Sequence, residues 1–429
     1  MASQRVAHQP IHPDLRATLD PEYLAFHDEH LQYVLPSEAT PWDADVRTKS
    51  TPMSSAALDS VEVGNIQDVI LKHAQLRFFI PKCAPPEGGW PIFAWLHGGG
   101  WTLGNLDSDN AFCSRIAEGT SCIAVNVNYR HAPEDPYPAA VDDTMEALEW
   151  LASTESSKFN INKSCIAIGG TSAGGNLAAI ASMKAALLQP PIAIKFQALL
   201  LPVIDNTQTA TSNHWATKPH PPWLTPGRMM WYRKMYLLNE KDCLNWDASP
   251  NLAPAEILRK NPKTWIAVSE HDLLAPEGLA FGELLKEVGV EVEMKIYDGS
   301  THSLLAMSGH LSLGKRLLED AITKIREGFM STLTHSSAPW SSLGNHPSES
   351  SERKDIHPLS ETLGPERMIP DSFSDLGIIK NALIDEFFIL PRPAQSKTDE
   401  IPPLVCRWVR RPPNVLLLCQ FRANRLADL

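Results

Sequence analysis

The sequence contains no run of about 18 apolar residues, the length that a membrane-spanning helix requires. Its first fifteen residues are polar and lack the apolar core of a signal peptide, so we expect a cytoplasmic protein without integral membrane association. Basic residues are outnumbered: 38 lysines and arginines against 50 aspartates and glutamates give a net charge of −12, which disfavours nucleic acid as a partner. The seven cysteines include no C-x-x-C pair, which favours reduced thiols over a disulfide framework.

The composition is that of an ordinary globular protein, but it changes along the chain. Hydrophobic residues make up 43 % and charged residues 21 % of the 429 residues, which excludes a collagen-like, coiled-coil or wholly disordered protein. Residues 1–60 are polar with scattered aromatics, and residues 61–330 alternate apolar runs with helical patterns. Residues 331–429, here called the tail, are rich in serine and then in proline. We predict an N-terminal segment, one large domain and a largely disordered tail.

Residues 61–330 predict an α/β domain. The strand candidates are Ile66–Leu71, Leu76–Ile80, Ile92–Leu96, Cys122–Asn128, Cys165–Gly169, Phe196–Leu201, Thr264–Ser269 and Val292–Tyr297. The helix candidates are Asn110–Glu118, Ala139–Ser153, Ala173–Leu188, Pro276–Val288 and Leu311–Phe329. Such alternation predicts a mostly parallel central sheet flanked by helices. A stretch rich in Trp, Met and Pro, at about residues 203–262, breaks the rhythm and is interpreted as an insertion.

The strongest motif is Gly170-Thr171-Ser172-Ala173-Gly174, which follows a strand candidate and opens a helix candidate. This is the context of a G-x-S-x-G elbow, in which a sharp strand-to-helix turn lifts a serine hydroxyl above the sheet. The two glycines leave room for neighbouring backbone. We therefore predict that Ser172 is a nucleophile.

A second motif, His97-Gly98-Gly99-Gly100-Trp101, follows the strand candidate Ile92–Leu96. Consecutive glycines let backbone N–H groups turn inward and approach a ligand oxygen closely. In an ester hydrolase such donors stabilise the tetrahedral oxyanion. A phosphate-binding loop is the rival interpretation, but it would need a Lys-Ser/Thr or a G-x-G-x-x-G pattern. We expect His97 to hold the loop rather than to carry a proton.

An acid and a histidine follow the last two strand candidates. Asp272 lies just beyond one strand, and His302 lies in the loop after the next. The chain order serine, acid, histidine is that of a large class of hydrolases. In this arrangement His302 takes the proton of Ser172, and Asp272 holds the imidazole in the required tautomer.

Other residues compete for these two roles. Glu270 and His271 are close enough to Asp272 in the sequence to act as the acid or the base, and His310 is a weaker rival near the last helix. We favour Asp272 because Glu270 is expected to belong still to the end of the strand.

Together these motifs resemble the hormone-sensitive-lipase-like branch of the α/β-hydrolases, the α/β-hydrolase fold-3 family. The resemblance covers roughly residues 60–330. The matching segments are His97–Trp101, Tyr129–Glu134, Pro138–Asp143, Gly170–Asn176 and Ser269–Gly278.

The resemblance implies an α/β-hydrolase sheet with a helical cap built from residues 1–60 and the insertion. It also implies hydrolysis of carboxylic esters without a metal or an organic cofactor. The oxyanion donors that it implies are the backbone N–H groups of Gly98, Gly99 and Ala173. The chain carries Thr171 where many relatives have aspartate.

The candidate substrate-binding residues are large and apolar: Trp101, Trp215, Trp223, Met230 and Trp231. Such side chains over a nucleophile favour an apolar acyl or alcohol group. The alternative is that they only pack the cap onto the sheet. The insertion and its start also carry several prolines, which restrict the backbone of the cap. We expect a small-molecule ester as the substrate, with a short-to-medium acyl or an aryl group rather than an emulsified triglyceride.

The leading interpretation is a serine esterase that works through an acyl-enzyme intermediate. An alternative with the same triad is a lactone-opening, acyl-transfer or product-releasing hydrolase of a secondary-metabolite pathway. A non-catalytic small-molecule receptor on the same fold is a third, although receptors of this shape tend to lose the histidine that is present here as His302. The oligomeric state and the role of the tail stay open.

Overall fold

The computed structural model describes residues 5–49 and 51–330, together with two strands at residues 405–411 and 414–420. The chain divides into two compact units, Met1–Gly344 and Asn345–Leu429. The N-terminal segment, the strand–helix region and the insertion therefore share the first unit. Among the described residues, no helix has both the length and the apolarity that crossing a membrane would take.

Eight strands of the described chain form one sheet, and each strand candidate of the sequence has its counterpart there. They are β1 (Asn65–Ile70), β2 (Gln75–Ile80), β3 (Trp90–Leu96), β4 (Ile123–Asn128), β5 (Ile161–Thr171), β6 (Ile194–Leu200), β7 (Lys263–Ser269) and β8 (Val292–Tyr297). Their order across the sheet is β1-β2-β4-β3-β5-β6-β7-β8. β2 pairs antiparallel with both β1 and β4, and the five other pairs are parallel, which confirms the predicted α/β fold.

The central strands are apolar on both faces because helices cover both sides of the sheet. All seven residues of β3 are buried. Ile92, Ala94 and Leu96 contribute to one core cluster, while Phe93 and Trp95 contribute to the cluster on the opposite face. Since successive side chains of a strand point to opposite faces, a solid apolar run fills two cores at once.

The described helices are α1 (Pro21–Glu29), α2 (Asn110–Thr120), α3 (Ala139–Ala152), α4 (Ala173–Leu187), α5 (Asn213–Ala216), α6 (Pro226–Tyr236), α7 (Ala255–Leu258), α8 (Ala275–Glu287) and α9 (Ser312–Met330). α3, α4 and α8 bury their apolar residues in one cluster, and α1, α2 and α9 bury theirs in the other. The sheet therefore lies between two helical layers.

The N-terminal segment packs on the insertion. Arg228 of α6 pairs through Nε with Glu38, at 2.9 Å, and its Nη2 donates to the side chain of Gln9. The rings of Trp42 and Trp231 lie 6.0 Å apart. These contacts are those expected of a cap assembled from both segments.

In the tail, the structure describes two strands, β9 (Val405–Arg411) and β10 (Asn414–Gln420). They pair antiparallel, with Val405 opposite Gln420 and Arg411 opposite Asn414. The sequence did not predict this pair. The prediction that the tail is largely disordered otherwise concerns residues outside the described ones.

Candidate active site

Four loops that carry the predicted site residues meet at one edge of the sheet. They follow the carboxyl ends of β3, β5, β7 and β8, and these strands run in the same direction. Loops at this edge of a parallel sheet face one another across a crevice. The topology therefore gathers His97–Trp101, Ser172, Asp272 and His302 from distant parts of the chain.

Ser172 lies at a strained turn between β5 and α4. Its φ of 54° and ψ of −119° fall outside the regions that L-residues favour. A Cβ on Gly170 would collide with the backbone of Gly174, and one on Gly174 would collide with the carbonyl of Leu96. Only glycine fits at both positions, so the pattern around Ser172 follows from close backbone packing.

The hydroxyl of Ser172 is connected to an imidazole and a carboxylate. His302 Nε2 lies 2.9 Å from Ser172 Oγ, and His302 Nδ1 lies 2.8 Å from Asp272 Oδ2. The Asp272 side chain is fully buried, and its other oxygen accepts the N–H of Leu274 at 3.0 Å. The buried carboxylate thus fixes the imidazole with Nδ1 protonated and Nε2 free to accept the serine proton.

The rival residues make contacts elsewhere. Glu270 accepts the N–H of Gly299 at 2.7 Å, and His271 Nε2 lies 3.3 Å from the carbonyl of Thr18. The His310 ring packs against Phe26, with centroids 4.6 Å apart. None of the three contacts Ser172, whereas Asp272 and His302 form the continuous path to its hydroxyl.

The glycine loop lies beside this path. Gly98 is so close to Ser172 that a Cβ built on it would stand 3.4 Å from the serine Cβ. Gly99 and Gly100 have φ of 113° and 62°, a conformation that glycine adopts without strain. Ala173 is the first residue of α4, so its N–H has no partner within the helix and points out at the positive end.

His97 stabilises the glycine loop, as the sequence predicted. Its Nδ1 lies 2.8 Å from the carbonyl oxygen of Gly98, and its ring stacks on Tyr129 with centroids 4.6 Å apart. The hydroxyl of Tyr129 donates to the carbonyl of His97 at 2.9 Å. Burial lowers the pKa of His97, so the ring stays neutral near pH 7. The role of Tyr129 was not predicted, although it opens one of the matching segments.

Two of the five predicted substrate-binding side chains belong to the core. Trp101 is fully buried and stacks on Tyr236, with centroids 4.3 Å apart and the planes nearly parallel. Trp215 is 1 % exposed, and its indole N–H donates to Glu277 at 3.0 Å. Neither indole presents surface to a substrate here. This burial favours the packing role, which was the alternative interpretation, and the assignment of these two residues to substrate binding stays an untested prediction.

The three others retain accessible surface in the cap. Trp223, Met230 and Trp231 are half-buried. The Arg228 guanidinium lies over the Trp223 ring, 4.6 Å from its centroid, and Trp231 packs on Tyr232. Their assignment to substrate binding stays a prediction.

Tyr232 and Glu277, which were not predicted as site residues, lie close to the site. A Cβ on Gly100 would collide with the ring of Tyr232, which places α6 directly on the glycine loop. Glu277, in the helix after Asp272, is buried and accepts the N–H of Ile204 at 2.8 Å. Burial raises the pKa of Glu277 to about 8. A single glutamate within a helical sequence pattern does not indicate that the residue is buried beside the site.

A serine on the sharp turn after a central parallel strand, joined to an acid and a histidine from later strands, defines the α/β-hydrolases. A family model described as alpha/beta hydrolase fold matches residues 93–306. An AB hydrolase superfamily protein of Schizosaccharomyces pombe is 37 % identical over 333 residues, which cover 75 % of this chain and 97 % of that protein.

Further relatives carry esterase names. Esterase LipI of Mycobacterium tuberculosis is 33 % identical over 233 residues, covering 54 % of this chain and 71 % of that protein. The solved structure of a thermostable esterase from Pseudomonas putida has a TM-score of 0.66 and 26 % identity, covering 73 % of this chain and 98 % of that one. The chain belongs to the α/β-hydrolase fold-3 family, and the resemblance inferred from its motifs is confirmed.

Proposed function

We propose that the protein is a serine carboxylic ester hydrolase. The observation that carries this proposal is the pair of hydrogen bonds that joins Ser172, His302 and Asp272 at the strained turn. The esterase relatives support the same reaction class. In the first step, Ser172 Oγ attacks the ester carbonyl carbon while its proton moves to His302 Nε2. The carbonyl oxygen becomes an oxyanion that accepts hydrogen bonds from the N–H groups of Gly98, Gly99 and Ala173.

The remaining steps use the same three side chains, first to release the alcohol and then to activate water. The tetrahedral intermediate collapses, the bond to the alcohol oxygen breaks, and His302 gives that oxygen its proton. Water then loses a proton to His302 and attacks the acyl-enzyme. Collapse of the second intermediate releases the acid and returns the proton to Ser172. Asp272 stabilises the imidazolium in both halves without itself accepting the proton.

We propose substrates with short-to-medium acyl or aryl groups. The cap is held close to the site, because Tyr232 rests on the glycine loop and Arg228 pairs with Glu38 of the N-terminal segment. Pro226 begins α6, where its fixed φ is compatible with the helix. A cap tied down in this way favours molecules that enter singly over adsorption to an oil surface.

The experiment is an acyl-length series of p-nitrophenyl esters with wild-type protein and Ser172→Ala. Each further acyl CH₂ should contribute up to about 0.8 kcal/mol until the pocket is full, after which kcat/KM should fall. Ser172→Ala should lose activity by at least roughly a thousand-fold. Retained activity in Ser172→Ala contradicts the mechanism. A steady rise through long chains with a jump on emulsified substrate contradicts the proposed substrate class.

We also propose a cytoplasmic location. The five cysteines in residues 5–330 carry free thiols, among them the buried Cys113, Cys122 and Cys165. Burial raises the pKa of the Cys122 thiol to about 12. Because little of the reactive thiolate form is then present at neutral pH, this thiol resists oxidation. Free thiols suit a reducing compartment. Fractionation of cells that express the full chain tests this location, and recovery outside the cytosol contradicts it.

A further inference from the structure

Arg233 of α6 is a buried arginine that donates hydrogen bonds from only one of its three side-chain nitrogens in the described part of the chain. The residue is 8 % exposed, and its Nη1 donates to the carbonyl of Gln208 at 2.6 Å. Its Nε and Nη2 are buried and have no hydrogen-bond partner in the described part of the chain. Arg228, five residues earlier, is also buried but donates from Nε, Nη1 and Nη2 to protein oxygens. In the described part of the chain, Arg115 has one such buried donor without a partner, at Nε, whereas Arg233 has two on adjacent nitrogens.

The two open donors lie on one edge of the guanidinium plane. Nε–H and Nη2–H run parallel there, at the spacing of two carboxylate oxygens. Arg77 of this chain uses the same edge to hold Asp68, with both N–O distances 2.8 Å. A buried donor without a partner destabilises the folded protein, and more so when it is charged, so we expect such an edge to bind a ligand.

Arg233 contacts a stretch of chain that begins beside the proposed nucleophile. The N–H of Val203 donates to the carbonyl of Ser172 at 3.1 Å, and Gln208 follows five residues later. Arg233 Nη1 also reaches the sulfur of the half-buried Met230, at 3.5 Å. The indole of Trp215 supports the guanidinium from one face, 5.0 Å from Cζ.

Three titratable groups face the guanidinium: Asp205, Glu277 and Cys243. Asp205 is held by its own loop, since Thr207 and Gln208 donate three hydrogen bonds to its oxygens. The pKa of Glu277, raised to about 8 by burial, keeps this carboxyl mostly protonated at neutral pH. Asp205 thus offsets part of the charge of Arg233, and neither acid occupies the open edge.

We propose that the open edge of Arg233 binds a free carboxylate of the substrate, so that the protein prefers esters carrying a second, ionised carboxyl group. This inference rests on the proposed ester hydrolysis and names its substrate class. The carboxylate oxygens accept Nε–H and Nη2–H together, while the ester group lies at Ser172. The site selects by a bidentate ion pair, which a lysine ammonium cannot reproduce.

The test compares charged and neutral esters of matched shape. One pair places the carboxylate in the acyl part: the p-nitrophenyl half-ester of glutaric acid against p-nitrophenyl pentanoate. The other pair places it in the alcohol part: 4-carboxyphenyl butyrate against phenyl butyrate. Wild-type protein should show a higher kcat/KM for the charged member of at least one pair.

Three variants test whether Arg233 causes the preference for charged esters. Arg233→Gln should reduce the charged-to-neutral ratio of kcat/KM by about ten- to a hundred-fold, mostly through KM, and Arg233→Lys should restore only part of it. Lys234→Gln removes an equal charge from the exposed neighbour on the same helix and should leave the ratio unchanged. Hydrolysis of the neutral esters should continue in all three variants.

The wild-type protein offers a second measurement if Arg233→Gln does not fold. Ionisation of Glu277 above about pH 8 adds negative charge beside Arg233, so KM should rise there for the charged esters only. Equal kcat/KM for the charged and the neutral member of both pairs would overturn this inference, and so would a preference for charged esters that survives in Arg233→Gln. Either result would leave the proposed function standing. Failure to hydrolyse every ester would overturn the proposed function itself.

Discussion

Among the single residues of the site, Ser172 has a strained backbone, with a positive φ of 54°. A non-glycine residue held at such angles costs on the order of 1–3 kcal/mol, which the surrounding structure must offset. Its N–H donates to the carbonyl of Leu200 at 2.9 Å, and its carbonyl accepts N–H groups from Val203 and Asn176, both at 3.1 Å. The turn is therefore fixed on both sides, and the hydroxyl keeps its position facing His302.

Asp272→Asn should lower kcat by roughly a thousand- to ten-thousand-fold while the fold persists. The new amide can donate to His302 Nδ1 and so favour the tautomer whose Nε2 carries the proton and cannot accept that of Ser172. Glu270→Gln is the matched control, because its oxygen can still accept the N–H of Gly299. Steady-state kinetics measures kcat of both variants, and circular dichroism checks that they fold. A larger loss of kcat in Glu270→Gln than in Asp272→Asn would show that Asp272 is not the acid.

We predict that Glu277 makes the stability of the protein depend on pH. Its pKa is about 8 in the folded protein and near the ordinary value of 4.5 in the unfolded chain, so the folded state holds the extra proton between these pH values. The free energy of unfolding should therefore decrease as pH rises from about 4.5 to about 8. Glu277→Gln should show a flatter pH dependence in urea unfolding between about pH 5 and pH 8. An unchanged slope would show that Glu277 titrates normally.

At the scale of elements, the site depends on the contact between the glycine loop and α6. Tyr232 of α6 covers Gly100, and Arg228 of the same helix pairs with Glu38. One helix thus joins the loop, the insertion and the N-terminal segment. Changes in α6 should affect catalysis through the loop as well as through the substrate pocket.

Gly100→Ala should lose activity by at least about ten-fold, since one misplaced oxyanion donor costs that much or more. The new Cβ collides with the Tyr232 ring and must displace the loop or the helix. Gly289→Ala is a matched control, because Gly289 also has a positive φ, of 91°, but nothing lies within 4 Å of its added Cβ. Both variants should unfold at lower urea concentration, and only Gly100→Ala should lose kcat. Equal activity in the two variants would contradict the role of this contact.

Regular elements were predictable from the sequence because one local pattern determines each of them. The eight strands and five of the six helices of eleven or more residues in residues 61–330 were predicted from apolar runs and helical periodicity, whereas α6 in the insertion was not. The candidate triad was predicted from motifs that follow strand ends. Burial of Trp101 and Trp215 was not predictable, since it depends on Tyr236 and Glu277, which are distant in sequence. The open edge of Arg233 is likewise defined by two nitrogens that lack hydrogen-bond partners among the described residues, which no local pattern encodes.

At the scale of the whole molecule, every group of the proposed mechanism lies in the first compact unit, Met1–Gly344. A chain that ends at residue 344 should therefore keep the kcat and KM of the full chain on p-nitrophenyl butyrate. Parallel assays of both chains, with circular dichroism to confirm folding, check this expectation. Loss of activity in a folded shortened chain would show that residues 345–429 contribute to catalysis.

The central claim is that Ser172 is the nucleophile, and covalent labelling tests it most directly. After incubation of the full chain with a fluorophosphonate, mass spectrometry should find one adduct, on the peptide that contains Ser172. Hydrolysis should disappear in proportion to labelling. Ser172→Ala should take up no label, and His302→Ala should label far more slowly because the hydroxyl is no longer activated. An adduct on another residue, or full hydrolysis by Ser172→Ala, would contradict the account.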